Sequence, residues 1–346
     1  MANAPLFILG TERSGSNLLR LILNSHSRIA VPHPPHIVRY FAPLEPLYGD
    51  LTNEAAFRRL VGDILRLLDT HIYQWDIPID IEAIVREATP RTAFGVYVAL
   101  YEQYRAHGNK ARWGCKSTFM VDHVPEILAR FPDARLIFLV RDPRDVAVSS
   151  KKSVFSHFHP YYTAQLWRDQ QAAGLRWLDT LPKEQLHLVH YEQLVADPEG
   201  AVRALCAFLD EPFEPGMLRF FETDEARKSA SLSESWQNTG RPVSRASVEQ
   251  WRTGLNDRER LLVELVARRE MARLGYTPIA TVRELDTARV GLGERATYWV
   301  IERLRALRTE LRSLRKDKNV WRRWARAWTL GALRARLRVT TALHGA

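Results

Sequence analysis

Two glycines, two serines and an arginine crowd into Gly10-Thr11-Glu12-Arg13-Ser14-Gly15-Ser16-Asn17, between the apolar run Leu6-Phe7-Ile8-Leu9 and the apolar positions Leu18, Leu19, Leu21, Ile22 and Leu23. A glycine-bearing turn from a strand into a helix presents backbone N–H groups at the positive end of the helix dipole, which suits a phosphate-like anion. The loop has the position of a Walker A motif but not its detail. Ser16 stands where that motif needs its lysine, and Asn17 where it needs a magnesium-binding hydroxyl. Taken alone, it is equally well an ordinary strand-to-helix turn.

A second cluster, Arg141-Asp142-Pro143-Arg144-Asp145-Val146-Ala147-Val148-Ser149, follows the apolar run Leu136-Ile137-Phe138-Leu139-Val140. It sets an arginine at the carboxyl end of a buried strand and a serine about two helical turns further on. In an open α/β sheet both loops face the crevice beyond the strand ends, where ligands bind. A guanidinium fork also fits bidentate phosphate recognition.

The elements that must hold these loops follow from the hydrophobic pattern. Strands are expected at 5–10, 135–140 and 186–189 and helices at roughly 54–69, 80–88, 92–107, 121–130, 161–180 and 198–209, with a helix starting near Asp145. Strand and helix alternate, so the expected class is α/β: a P-loop-like parallel sheet flanked by helices, with a helical C-terminal extension. The expected organisation is a catalytic domain over 1–280 and a basic helical extension over 281–346.

Several segments in the same order resemble one family. From about Pro5 to Pro278 the chain is similar to the sulfotransferases that use 3′-phosphoadenosine 5′-phosphosulfate (PAPS), nearest to the tyrosylprotein sulfotransferases and related bacterial enzymes. The resemblance implies the sulfotransferase fold, with PAPS as co-substrate. Arg13, Ser14, Gly15, Ser16 and Asn17 match its 5′-phosphosulfate loop, and Arg141 with Ser149 its 3′-phosphate site. Lys116, in Gly114-Cys115-Lys116-Ser117, matches the lysine placed near the transferring sulfonate. Tyr191, in Tyr191-Glu192-Gln193-Leu194, matches a tyrosine lying against the nucleotide. Ser231-Leu232-Ser233-Glu234-Ser235, Arg241-Pro242-Val243 and Trp251 resemble the segment that folds over the cofactor, with Ser235 on the catalytic serine and Arg241 among the cofactor contacts.

The general base departs from the pattern. The resemblance calls for a glutamate at position 34, where this chain has Pro34 within Val31-Pro32-His33-Pro34-Pro35-His36. His36 lies two positions away, on the same side of an extended segment, and His33 one position away. Histidine serves as base in other branches of the family and titrates in the useful range.

The implied chemistry is in-line sulfuryl transfer to a hydroxyl or amine acceptor. Arg13 with the loop N–H groups would hold the 5′-phosphosulfate, Lys116 and Ser235 would stabilise charge on the leaving oxygen, His36 or His33 would take the proton, and no metal is called for. Two other readings compete: a P-loop-type small-molecule kinase, opposed by Ser16, and a nucleotide-binding peripheral or oligomeric protein without catalysis, favoured by Pro34. Phe41, Tyr48, Tyr73, Trp75, Phe155, Phe158 and Tyr161 suit an apolar or phenolic acceptor, though core packing explains them as well. The acceptor class stays open among small molecule, lipid, glycan and peptide.

Charge separates the two regions. The chain carries 50 Lys+Arg and 40 Asp+Glu, and residues 281–346 hold 16 and 6 of these, so the whole excess of positive charge lies in the extension. A neutral globular part without a reader motif argues against nucleic acid. In the extension Val300, Leu304, Leu307, Leu311 and Leu314 form an a/d stripe, followed by Trp321, Trp324 and Trp328 among arginines. That pattern suits packing on the domain, packing in a homo-oligomer or an anionic membrane surface. Two lone cysteines, no signal-peptide pattern and no long apolar run fit a cytoplasmic protein that can sit peripherally at a membrane.

Overall fold

The computed structural model describes residues 3–154, 156–232, 234–316 and 319–344. Its strands are β1 (Leu6–Gly10), β2 (Ile29–Ala30), β3 (Arg112–Cys115), β4 (Arg135–Val140) and β5 (Leu186–His190), in a five-stranded sheet of order β2-β3-β1-β4-β5. The described ladders, β1 with β4, β4 with β5 and β2 with β3, are all parallel. The expected parallel sheet with flanking helices is what forms. β2 and β3 are additions to the sequence reading.

The chain divides into two compact units. One comprises 4–26 and 116–317, the other 1–3, 27–115 and 318–346. In the first, every side chain of β1 and Leu136 to Val140 of β4 are buried. At roughly 1.5–3 kcal/mol for each large apolar side chain removed from water, these two strands anchor the unit. The helix Pro143–Lys151 starts two residues before the expected point, because Asp142 caps it and Pro143 takes the first position without losing a needed N–H. It packs with Pro160–Thr180 and Asp257–Arg273 through Ala147, Ala164 and Val263, whose small side chains let the helices approach closely.

In the second unit the helix Ala93–His107 lies against β3, with Tyr97, Tyr101 and Trp113 in ring contact and Trp113 Nε1 donating to Glu102 at 2.7 Å. The helix Glu54–Asp69 spans the expected residues, its start fixed by the Asn53 side chain accepting from Ala56 N. Phe41, Tyr48, Tyr73 and Trp75 are buried here, and Tyr48 donates to Asp63 at 2.9 Å, so packing accounts for these aromatic residues. Tyr161 is buried in the first unit, and Phe155 lies outside the described residues.

The C-terminal region forms two helices, Leu292–Lys316 in the first unit and Val320–His344 in the second. Leu292–Lys316 turns Tyr298 and Glu302 inward. Tyr298 stacks on His159 at 4.4 Å, and the Glu302 carboxylate accepts from Phe158 N at 2.9 Å and His159 N at 2.7 Å. Val300, Leu304, Leu307, Leu311 and Leu314 are on its exposed side, so the a/d stripe does not pack on the domain. Among the described residues no helix is long and apolar enough to cross a membrane, and no cluster of His, Cys, Asp and Glu has metal-site geometry.

Candidate active site

The loop after β1 is shaped by backbone conformations that its residues permit. Gly10 (φ 139°) ends the strand where a Cβ would overlap the Leu139 carbonyl, and Gly15 (φ 89°) caps the helix Ser16–Asn24 where a Cβ would overlap the Tyr191 ring. Tyr191 therefore lies directly on the loop, across from the start of the helix. Arg13 also has positive φ, at 69°, a less favourable state for a residue with a Cβ.

Two arginines meet at this corner. Arg13 Nε donates to Ser149 Oγ at 3.1 Å, linking the first loop to the helix after β4. Arg141 is nearly buried; it donates to the Arg13 carbonyl at 2.8 Å and the Ser247 carbonyl at 2.5 Å, and its guanidinium lies 4.5 Å from the Tyr191 ring centroid. The two loops read separately from the sequence thus meet in one connected cluster of Arg13, Arg141, Ser149 and Tyr191. Burial lowers Arg13 to about 10, opposed by Glu12 and reinforced by Arg141, which leaves it a cation at neutral pH.

The arrangement fits an anionic nucleotide. Ser14 Oγ, Asn17 Nδ2 and Arg141 Nε are buried and have no hydrogen-bond partner among the described residues. Buried donors of this kind are costly unless a ligand or water satisfies them. All three belong to the loop, the helix start and the adjacent arginine.

Contacts that the sequence does not reveal hold this corner in place. Asp145 accepts from Glu249 N at 2.8 Å and Trp251 N at 3.0 Å, tying the 245–251 stretch to the helix Pro143–Lys151. Burial raises Asp145 to about 6, although Arg141 and the Trp251 amide favour its charged form. Arg144 pairs with Asp142 at 2.7 Å and Glu264 at 2.9 Å and lies over the Trp251 ring. Gln171 Nε2 donates to Thr11 in the loop. Arg20, fully buried, donates to Asn17 at 2.9 Å, Glu225 at 2.5 Å and Ser229 at 2.9 Å, and so fixes the helix Asp224–Leu232 to the helix that follows the loop.

The other sequence candidates are less gathered. Lys116 is half-buried, just ahead of the 3₁₀ turn Thr118–His123 that packs on β1. The side chain of Ser235 lies outside the described residues, and Arg241 is exposed. His33 is buried, stacked 5.3 Å from Tyr73 and with the His71 ring tilted at 5.1 Å, and its carbonyl accepts from Trp75 Nε1. His36 is partly exposed and caps the helix Ile37–Phe41 with φ 56°. That left-handed backbone breaks the extended alternation expected for the segment, so His36 does not take its direction from strand geometry.

This chain belongs to the sulfotransferase family, whose model matches residues 5–215. It is 25% identical over 291 residues to protein-tyrosine sulfotransferase 1 of Danio rerio, covering 80% of this chain and 73% of that protein. An uncharacterised protein of Aquifex aeolicus is 28% identical over 258 residues; the match covers 72% of this chain and only 30% of that protein. The fold is shared with the sulfotransferase domain of the Synechococcus olefin synthase, at TM-score 0.55 and 21% identity over 80% of this chain and 97% of that one. The sulfotransferase domain of the curacin pathway gives 0.55 and 24% over 80% and 98%. The protein is a transferase of sulfuryl groups.

Proposed function

We propose that the sulfuryl donor is PAPS and that the acceptor is a hydroxyl or amine. The observation that carries the donor assignment is the Arg13–Arg141–Ser149–Tyr191 cluster beside the helix N-terminus, with its buried donors on Ser14, Asn17 and Arg141. Arg13, Ser14, Gly15, Ser16 and Asn17 would hold the 5′ end, Arg141 and Ser149 the 3′-phosphate, and Tyr191 the nucleotide, with Arg241 reaching in from the covering segment. Bound PAPS supplies a sulfonate whose bridging S–O bond breaks as the acceptor attacks. His36, or His33, takes the acceptor proton, and Lys116 with Ser235 steadies the negative charge on the leaving phosphate oxygen. No metal takes part, so a chelator should leave the rate unchanged. Residues 1–280 form the catalytic region and 281–346 a basic extension of a cytoplasmic, peripherally membrane-associated or oligomeric protein.

The test is ligand discrimination. Adenosine 3′,5′-bisphosphate should raise the melting temperature well beyond adenosine 5′-monophosphate, and radiolabelled sulfate should pass from PAPS into an extractable acceptor. Equal shifts from the two nucleotides would remove the 3′-phosphate assignment.

A further inference from the structure

The helix Val320–His344 has two apolar faces. Leu330, Leu333 and Leu337 are buried within its own unit, where the helix packs on Glu54–Asp69 and on the turn Ala42–Tyr48. Arg326 pins that side by donating to the carbonyls of Leu67 at 3.2 Å and Pro35 at 2.6 Å, and Arg336 pairs with Asp63. The opposite face carries Trp321, Trp324, Trp328 and Val339. All four are exposed, Trp321 and Trp328 by 68% and 76%. They fall along one line of a 3.6-residue helix, with exposed Ala325, Ala332 and Ala335 among them.

Charge decides between the occupants of that face. The helix contains no Asp or Glu, and Arg322, Arg334 and Arg338 are exposed along its flanks. A second copy laid on the same face would set arginine against arginine, with no carboxylate in the helix to pair with either. An anionic lipid surface supplies the missing negative charge, and indole rings, apolar with one N–H donor, favour the headgroup region.

We propose that Val320–His344 is a membrane-surface helix. It lies flat on an anionic bilayer, with Trp321, Trp324 and Trp328 among the headgroups, the flanking Arg322, Arg334 and Arg338 against lipid phosphates and its leucine face kept on the protein. Arg326 holds the carbonyl of the residue before His36, so this helix also grips the segment bearing the proposed base. The acceptor class that such a placement serves is an amphiphile with a hydroxyl or amine headgroup. The acceptor class rests on the sulfuryl-transfer reading; the lipid contact does not.

The test uses the full chain in cosedimentation with neutral phosphatidylcholine vesicles and with vesicles containing phosphatidylglycerol, at low and high salt. Two surface variants, Trp321→Ser/Trp328→Ser and Arg334→Gln/Arg338→Gln, are compared with the parent, and sedimentation velocity without lipid reports the oligomeric state. The expected result is pelleting with anionic vesicles that weakens with salt. The tryptophan variant should weaken it at least about tenfold without lowering the melting temperature, and the arginine variant should reduce the preference for anionic over neutral vesicles. Three results would overturn the proposal: no pelleting at low salt, pelleting that both variants leave unchanged, or a lipid-free dimer that the tryptophan variant dissociates. If the tryptophan variant fails to fold, the parent's salt response and the arginine variant still decide.

Discussion

Replacing Arg141 by alanine separates two roles that the structure gives one side chain. Without ligand, the guanidinium braces the corner through the Arg13 and Ser247 carbonyls, at 2.8 and 2.5 Å, and through the Tyr191 ring at 4.5 Å. Each hydrogen bond from a charged donor contributes about 1.5–3 kcal/mol, but relieving the desolvation of a buried cation offsets part of the loss. A net fall in unfolding free energy of about 2 kcal/mol is expected. With ligand, truncating one partner of a buried charge pair costs about 2–5 kcal/mol of affinity, or roughly 30-fold to several thousandfold. At a concentration near 100 times the parent Kd, adenosine 3′,5′-bisphosphate adds about 2.7 kcal/mol to the parent's stability; a 30-fold weaker variant gains only about 0.9. The assay is urea unfolding of both proteins with and without that fixed concentration. A variant that loses basal stability yet keeps the full ligand-dependent gain would refute the assignment of Arg141 to the 3′-phosphate and leave it a structural brace.

Two further predictions concern proton chemistry. His36→Ala should lower kcat by about 10²–10⁴-fold with little change in PAPS affinity; if only His33→Ala has this effect, the base is the histidine stacked on Tyr73. Asp145 has a folded-state pKa raised by burial from 3.8 to about 6. It therefore favours the folded state below its ordinary value, and that contribution is lost as the pH rises through about 6. Asp145→Asn should flatten the pH dependence of the urea midpoint across this window, and an unchanged slope would locate the titration elsewhere.

The fold was legible where pattern is local. β4 and the helix Glu54–Asp69 fall on the expected residues because a continuous apolar run marks a buried strand and a 3.6-residue apolar period marks a helix with one buried face. β3, Arg-Trp-Gly-Cys, escaped because it is four residues long and mixes a charge and a glycine into the run. The helix Asp257–Arg273 is dense with charge, and its Glu259 and Glu264 are buried against Lys151 and Arg144, partners that the sequence does not reveal. The site follows the same division. Arg13 and Arg141 stand in loops at strand ends, Ser149 follows Arg141 by two helical turns and Tyr191 comes with the family resemblance; the structure gathers all four. Asp145, Arg144 and Arg20 did not, because Glu249, Glu264 and Glu225 lie 104, 120 and 205 residues away along the chain. Position 36 was misjudged in conformation because a histidine after two prolines gives no warning of a left-handed backbone.

The grip of Glu302 on the amides of Phe158 and His159 spans well over a hundred residues of chain. Arg305 Nη1 reinforces it by donating to the Phe158 carbonyl at 2.8 Å. During synthesis the entry to the helix Pro160–Thr180 waits, with two amides and a carbonyl open to water, until residues near 305 have left the ribosome. Such late, distant closures slow folding, because loop entropy is lost before the contact is gained. A chain shortened at residue 280 never makes this closure. It would reach its final length with the approach to that helix unfinished and Tyr161 deprived of its Tyr298 neighbour.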